Sequence, residues 1–283
     1  MKNQSINKSR GRWVPIALFA MMLAMALILW SCAQAKGDAL LPAGFQPPVM
    51  AAAQYVDKPA RGDLGGVLVE IPPYMAEYLE YDGDPGWRGD VRTKMPTRAP
   101  DSKIASFGFN VLYPDMLGKA DYKSREQFKN RDHGTTNWLS VNVISGESYS
   151  GEGSVDTLTK NSLKRKLSPE TEFFLDKYER LDNDVFNLEA YAVKGFDPEN
   201  GEPYRRHKWA RDIFVARDTH GRAVSYISCD NWDSPMAPCR HNFDMSPEMK
   251  VSLIIHYRRG LLSEWACIQA SVAERVKGFA IKS

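Results

Sequence analysis

Residues 103–113 read KIASFGFNVLY, and the pattern in this stretch sets the fold class. Phe107, Phe109, Val111 and Tyr113 alternate with Gly108, Asn110 and Leu112, a period of two that sends one set of large apolar side chains to a single face of a strand. The alternation returns at Asn137–Ile144 through Leu139, Val141 and Val143. Gly66–Ile71, Phe186–Val193 and Lys250–Tyr257 are further strand candidates, and Asp212–Arg217 with Ala223–Cys229 flank Asp218-Thr219-His220-Gly221 as a hairpin and its turn. Helix signals are fewer. Ser168-Pro169-Glu170-Thr171-Glu172 has a capping hydroxyl, a first-turn proline and acids at the positive end of the dipole, which predicts a helix from Ser168 to about Leu181. Ser263 is the expected cap of a last helix whose stripe is Trp265, Ile268, Val272, Val276 and Phe279. Strands outnumber helices and short turns join them, so the expected class is α+β, a mainly antiparallel sheet with a few helices.

Charge is unevenly placed. The chain has 37 Lys plus Arg against 35 Asp plus Glu, yet Lys2, Lys8, Arg10 and Arg12 all fall within the first 35 residues, where there is no acid. Beyond residue 35 the balance is therefore slightly acidic, which argues against nucleic acid as the main partner. From Trp13 to Cys32 the chain reads WVPIALFAMMLAMALILWSC, an apolar run behind four cations. That pattern is a signal sequence or a membrane anchor (residues 1–35), because about 17 to 20 apolar residues sit at the lower limit for a membrane span. Leu29-Trp30-Ser31-Cys32 resembles a bacterial lipobox, with Cys32 the residue to be acylated and Trp30 a departure from the pattern. Ala33-Gln34-Ala35 is instead suited to ordinary signal peptidase. A lipoprotein anchored through Cys32, an uncleaved N-terminal helix and a soluble protein starting at Lys36 are the three readings. Each places the body in the cell envelope, facing the periplasm, because the positive flank stays inside.

Residues 36–62, with Pro42, Pro47, Pro48, Pro59 and the run Ala51–Ala53, read as a tether. Residues 63–283 form the α+β region, with the polar stretch 145–166 the best internal boundary between two subdomains. An oxidising compartment suits Cys229 and Cys239, which bracket a turn-rich loop. Bonding them would stabilise the fold by roughly 2 to 3 kcal/mol. Zinc held by Cys229, Cys239 and His241 is the competing reading, although C-x9-C-x-H lacks the close pairs of structural zinc sites. Cys267 falls in the last helix and reads as a small buried hydrophobe.

Chemistry is sparse. Gly146-Glu147-Ser148-Tyr149-Ser150 almost makes a nucleophile elbow, but it ends in Ser where Gly is required, and GEGSVDTLTKNS after it does not read as the helix that such an elbow needs. Asp82, Asp84 and Asp90 look briefly like a calcium loop, but Trp87 stands where the loop needs Gly. The five histidines, His133, His207, His220, His241 and His256, show no metal spacing, and His256 alternates toward solvent. Arg205-Arg206-His207-Lys208-Trp209 reads as a solvated strand edge. No cofactor motif is present, and no catalytic constellation converges. The most distinctive surface is aromatic: Tyr74, Tyr78 and Tyr81 at helical spacing, followed by Asp82, Asp84 and Trp87, a candidate patch for a protein partner.

The leader, IPPYMAEYLEYDGDPGW at 71–87, ASFGFNVLYPDM at 105–116, the spacing of Cys229, Cys239 and His241, and VSLIIHYRRGLLSEW at 251–265 together resemble a group of proteobacterial envelope proteins. They are similar to the lipoprotein immunity partners of type VI secretion phospholipase effectors. The resemblance implies a non-enzymatic, membrane-anchored periplasmic protein that binds and blocks a secreted lipase effector, with no catalytic residue of its own. An esterase-like envelope hydrolase using Ser148 and a structural envelope lipoprotein are the alternatives.

Overall fold

The computed structural model describes residues 58–85, 97–132, 134–164, 178–207, 210–231 and 234–282. Cys32, the apolar leader, residues 36–57 of the expected tether and Trp87 lie outside the described residues. Among the described residues no helix is long and apolar enough to cross a membrane.

The described chain begins with a hairpin, β1 (Ala60–Leu64) and β2 (Val67–Ile71), so the last residues assigned to the tether belong to a strand. Its turn is Gly65-Gly66, both at positive φ, and a side chain at Gly65 would collide with the Lys250 backbone at 2.7 Å. The remaining strands are β3 (Glu77–Tyr81), β4 (Ile104–Leu112), β5 (Trp138–Ile144), β6 (Tyr178–Arg180), β7 (Glu189–Val193), β8 (Arg211–Arg217), β9 (Ala223–Asp230), β10 (Pro238–Asp244) and β11 (Ser252–Arg258). They form one antiparallel sheet in the order β3-β4-β5-β11-β10-β9-β8-β7-β6. Three α-helices are described: α1 (Tyr122–Lys129), α2 (Ser154–Lys164) and α3 (Trp265–Lys277). The α+β, mainly antiparallel class is therefore present.

Register makes the two faces of the sheet unlike. One line of directly opposed residues runs Phe109, Val141, Ile255, His241, Ile227 and Phe214 across β4, β5, β11, β10, β9 and β8. All six are buried. The neighbouring line, one residue along each strand, runs Asn110, Ser140, His256, Arg240, Ser228 and Ile213. A one-residue step in a strand turns the side chain to the opposite face, so the line through Phe109 builds the main core, while the line through Asn110 lies on the other face, exposed at His256 and Arg240 and packed into a smaller apolar cluster at Ile213. The inward face is closed by α3 through Ile268, Val272 and Val276, and by Phe279, which meets Phe107 and Phe109 edge-on at 6.2 and 6.0 Å. The first hairpin seals the same side: Glu70 donates its backbone N–H to the Phe279 carbonyl at 2.8 Å, and Ile281 donates to that of Leu68 at 3.0 Å. Each fully buried aliphatic or aromatic side chain contributes about 1.5 to 3 kcal/mol of transfer free energy.

Several sequence expectations change. The segment 165–177, where most of the helix from Ser168 was expected, lies outside the described residues, but Tyr178–Arg180 at its end is strand β6, paired with β7. The strand expected from Phe186 starts at Glu189, because Phe186 and Asn187 form a turn at φ 52° and 63°. Ser263 does not cap the last helix. It lies inside a 3-10 turn, Arg259–Glu264, and α3 starts without a side-chain cap. Residues 154–164 do form a helix, held to the sheet by buried Val155 and Thr159, one turn apart, and by the Asp156 carboxylate, which accepts the Ala223 N–H at 3.0 Å. Strands from both sides of 145–166 share the one sheet through β5 and β11, and α2 within that stretch covers β9 and β10.

Candidate functional site

The tyrosine segment takes a different form from the expected helix face. Pro73–Met75 is a short 3-10 turn and Glu77–Tyr81 is edge strand β3, so Tyr74, Tyr78 and Tyr81 do not share a helix. Pro73 opens a single 3-10 turn, and pairing with β4 sets a strand period from Glu77 instead of a continued helix. Tyr78 is 71% exposed at φ 53°, where the β3–β4 register shifts. Such an irregularity breaks the regular edge that another strand could otherwise extend. Tyr81 points inward, and its hydroxyl donates to the Arg61 carbonyl at 2.8 Å. The carboxylates are tied into local structure. Asp84 accepts the Tyr81 N–H at 2.9 Å and the Arg98 guanidinium at 2.8 Å, and Asp82 accepts the Glu147 N–H at 3.1 Å. Among the described members of this set, only Tyr78 remains a prominent surface side chain.

Cys229 and Cys239 are directly opposed on β9 and β10 and form the expected disulfide, with Cα atoms 4.0 Å apart. The bond removes both sulfurs from zinc ligation, and among the described residues no group of three His, Cys, Asp or Glu is placed to hold a metal. Cys267, on α3, is half-buried against the core and is disulfide-bonded, so it is not the simple buried hydrophobe expected. The basic cluster at 205–207 is not a strand edge. Arg205 sits in a 3-10 turn and clamps the buried Asp212 carboxylate through Nε and Nη2, both at 3.1 Å, while Arg259 reaches the same carboxylate from the turn before α3. Lys208 and Trp209 lie outside the described residues.

Ser148 sits exposed in a 3-10 turn, and among the described residues no histidine hydrogen-bonds its hydroxyl. A Ser–His contact does exist elsewhere. Ser225 Oγ lies 2.9 Å from His241 Nε2, Gln269 Oε1 of α3 meets both, and Tyr257 Oη is 3.3 Å from His241 Nδ1. With Tyr257 donating to Nδ1, Nε2 carries the proton and shares it between Ser225 and Gln269, while Ser225 donates to Gln269. One neutral tautomer thus satisfies the whole set. Burial holds the imidazole neutral by lowering its pKa to about 3, with the Gln269 hydrogen bond opposing in part, and burial also raises the Tyr257 phenol. Ser225 and His241 are completely buried. A nucleophile and base sealed inside the core cannot meet a substrate, so this network pins α3 to the sheet. Its position was readable: His241 lies two residues from both Cys239 and Phe243, on the same inward parity.

The surface that the sequence did not single out is the outward face of the central strands. Arg240 of β10 faces His256 of β11 and Ser228 of β9 across the ladders, with Ser140 and Asn142 of β5 beyond. Arg240, His256 and Asn142 are exposed. Although its surface is exposed, the side chains packed around the ring partly desolvate the His256 imidazole, and this first, with the Arg240 charge second, holds it below its usual range, so Arg240 is the fixed charge of the patch. Along one side α2 walls a groove of about 440 Å³ whose lining includes Arg240, Asn242, Asn161, Leu158, Ile254 and Asp244. Asp244 accepts hydroxyl hydrogen bonds from Ser154 at 2.9 Å and Ser252 at 2.6 Å.

No protein-family model matches the chain, and no curated protein matches it significantly. Two solved structures are similar. An immunity protein of the Stenotrophomonas maltophilia type IV secretion system, Smlt3025, aligns at 19% identity and a TM-score of 0.50 over 80% of this chain and 94% of its own. The iron-regulated outer membrane lipoprotein FrpD of Neisseria meningitidis aligns at 10% identity and a TM-score of 0.39 over 79% of this chain and 93% of its own. At these identities the comparison concerns architecture, and this chain has the fold of the Stenotrophomonas immunity protein.

Proposed function

We propose that this chain is an immunity-type binding protein of the bacterial cell envelope, which neutralises a secreted effector by occupying it rather than by chemistry of its own. The observation that carries the reading is the shared fold with an immunity protein across 80% of this chain and nearly all of the other. Three features support it. The apolar leader behind four cations is an export pattern, the disulfide between Cys229 and Cys239 suits an oxidising compartment, and the Ser–His contact within the described residues is sealed in the core.

The finer reading takes the effector as a lipase and Cys32 as the lipid anchor that keeps the inhibitor beside the bilayer that a lipase attacks, where tethering raises its effective concentration. The Stenotrophomonas protein serves a type IV system, whereas residues 71–87 and 251–265 resemble partners of type VI effectors. What the two lines share is neutralisation of a secreted toxin, and that is the function proposed.

The test is protection. A candidate secreted effector, such as a lipase identified by its ability to bind this chain, is directed to the periplasm of a host that lacks both proteins, with and without the full-length chain. Restored growth is expected. Killing that continues with the chain exported and abundant would refute the reading.

A further inference from the structure

We infer that the outward face of β10 and β11, centred on Arg240, is the docking surface for an acidic segment of the protein partner. The inference rests on the binding role proposed above and deepens it by naming the surface and the chemistry of what it meets.

Pairing is what distinguishes Arg240. Nearby cations on this side of the sheet hold carboxylates: Lys119 pairs with Glu77, Arg211 with Asp230 at 2.9 Å and Arg217 with Glu189 at 2.8 Å. Arg258, on the same strand face as His256, spends its guanidinium on the Thr136 carbonyl at 3.1 Å and the Asn137 side chain at 3.0 Å. Arg240 makes no ion pair and no hydrogen bond among the described residues, although it sits on a central strand, and the titratable groups that feel its charge are His256 and Tyr226. A rigid strand therefore presents a planar five-donor fork to solvent, flanked by His256 and Ser228 across the ladders and Asn242 along the strand, with Ser140 and Asn142 one strand further. Arg at the centre of a patch, with uncharged neighbours to exclude water around it, is the arrangement that anchors protein interfaces.

Charge and shape select the occupant. A carboxylate matches the guanidinium in two parallel hydrogen bonds. Beside it, the groove under α2 offers Leu158 and Ile254 as an apolar strip, so an acidic residue followed by an aliphatic one fits better than a bare anion. The groove also holds two carboxylates, Glu152 and Asp244, the latter engaged by Ser154 and Ser252, and both disfavour an anion beside them, so the acidic residue is confined to the Arg240 end. A polyanion is a poor match. One unpaired cation is not a basic stripe, and beyond residue 35 acids outnumber bases, so nucleic acid and anionic lipid surfaces are repelled overall.

The experiment measures affinity of the candidate effector used in the protection test for the full-length chain in detergent, comparing wild type, Arg240→Glu, Arg240→Lys and the control Lys194→Glu, which reverses an exposed cation on β7's flank. Thermal unfolding of each variant confirms folding. The expected result is a loss of at least about 30-fold for Arg240→Glu, a smaller loss for Arg240→Lys, which keeps the charge but not the fork, and a change within about 3-fold for Lys194→Glu. Wild-type binding with Arg240→Glu unchanged would overturn the surface and leave the immunity reading standing. No binding by wild type would overturn both. Binding of wild type to phosphatidylglycerol vesicles that Arg240→Glu abolishes would assign the face to lipid and overturn the protein partner.

Discussion

The inward and outward faces of this sheet are built from the same strands, one residue apart, yet over β5, β11 and β10 they have opposite chemistry. Phe109, Val141 and Ile255 on one side are closed over by α3 and the first hairpin, while Asn110, Ser140 and His256 beside them point away from the core. Even the polar groups divide. His241 and Ser225 on the inward side satisfy each other with Gln269, whereas Arg240, one residue from His241, is left without a partner among the described residues. Burial and pairing, rather than residue type, therefore tell a structural polar group from a candidate contact in this protein.

Truncating the inward face puts that contrast under the greatest strain. Phe109→Ala removes a ring that is 1% exposed and meets both Phe107 and Phe279, and it should cost about 3 to 5 kcal/mol in chemical denaturation. A loss under about 1 kcal/mol, the range of tolerated core swaps, would mean that the inward line is not the core.

Acid probes the buried histidine. The folded imidazole has a pKa lowered to about 3, below the usual unfolded value near 6.5. Its neutral-state stability is therefore fully present above about pH 6.5 and is lost as pH falls toward 3. Linkage sets the loss from this group at about 2 to 3 kcal/mol by pH 4.5. His241→Gln should be less stable at pH 7 but should lack that slope, as unfolding titrations at pH 7 and 4.5 will show.

A similar effect is expected from the disulfide. Replacing Cys229 and Cys239 together by Ala should cost about 2 to 3 kcal/mol in chemical denaturation without reductant. At the small end, Asn142→Ala on the outward face should change stability by no more than about 0.5 kcal/mol. A large loss there would show that the outward line is structural too.

The alternation that separates the faces was legible at Phe107, Phe109, Leu139 and Val141, because a strand's side-chain period is a local property. The bond between Cys229 and Cys239 was legible for a similar reason, since both lie close in sequence around a turn. Helix α2 was not, because its hold on the sheet comes from Val155, Thr159 and the Asp156–Ala223 hydrogen bond, and a polar segment advertises none of these. The tyrosines at 74, 78 and 81 misled, because a spacing of three and four also fits a proline-started turn that runs into an edge strand. Arg240 was invisible for a different reason. Its meaning depends on which carboxylates other cations have already taken, and those pairs join residues far apart in the chain, such as Arg217 with Glu189 and Lys119 with Glu77.

Neutralisation by occupancy can be read in a single titration, in which the purified full-length chain is added to the candidate effector of the protection test while that effector's enzymatic activity is followed. Activity should fall to a stoichiometric end point, and the chain alone should turn over no substrate. Full toxin activity in the presence of excess folded chain would contradict the binding role.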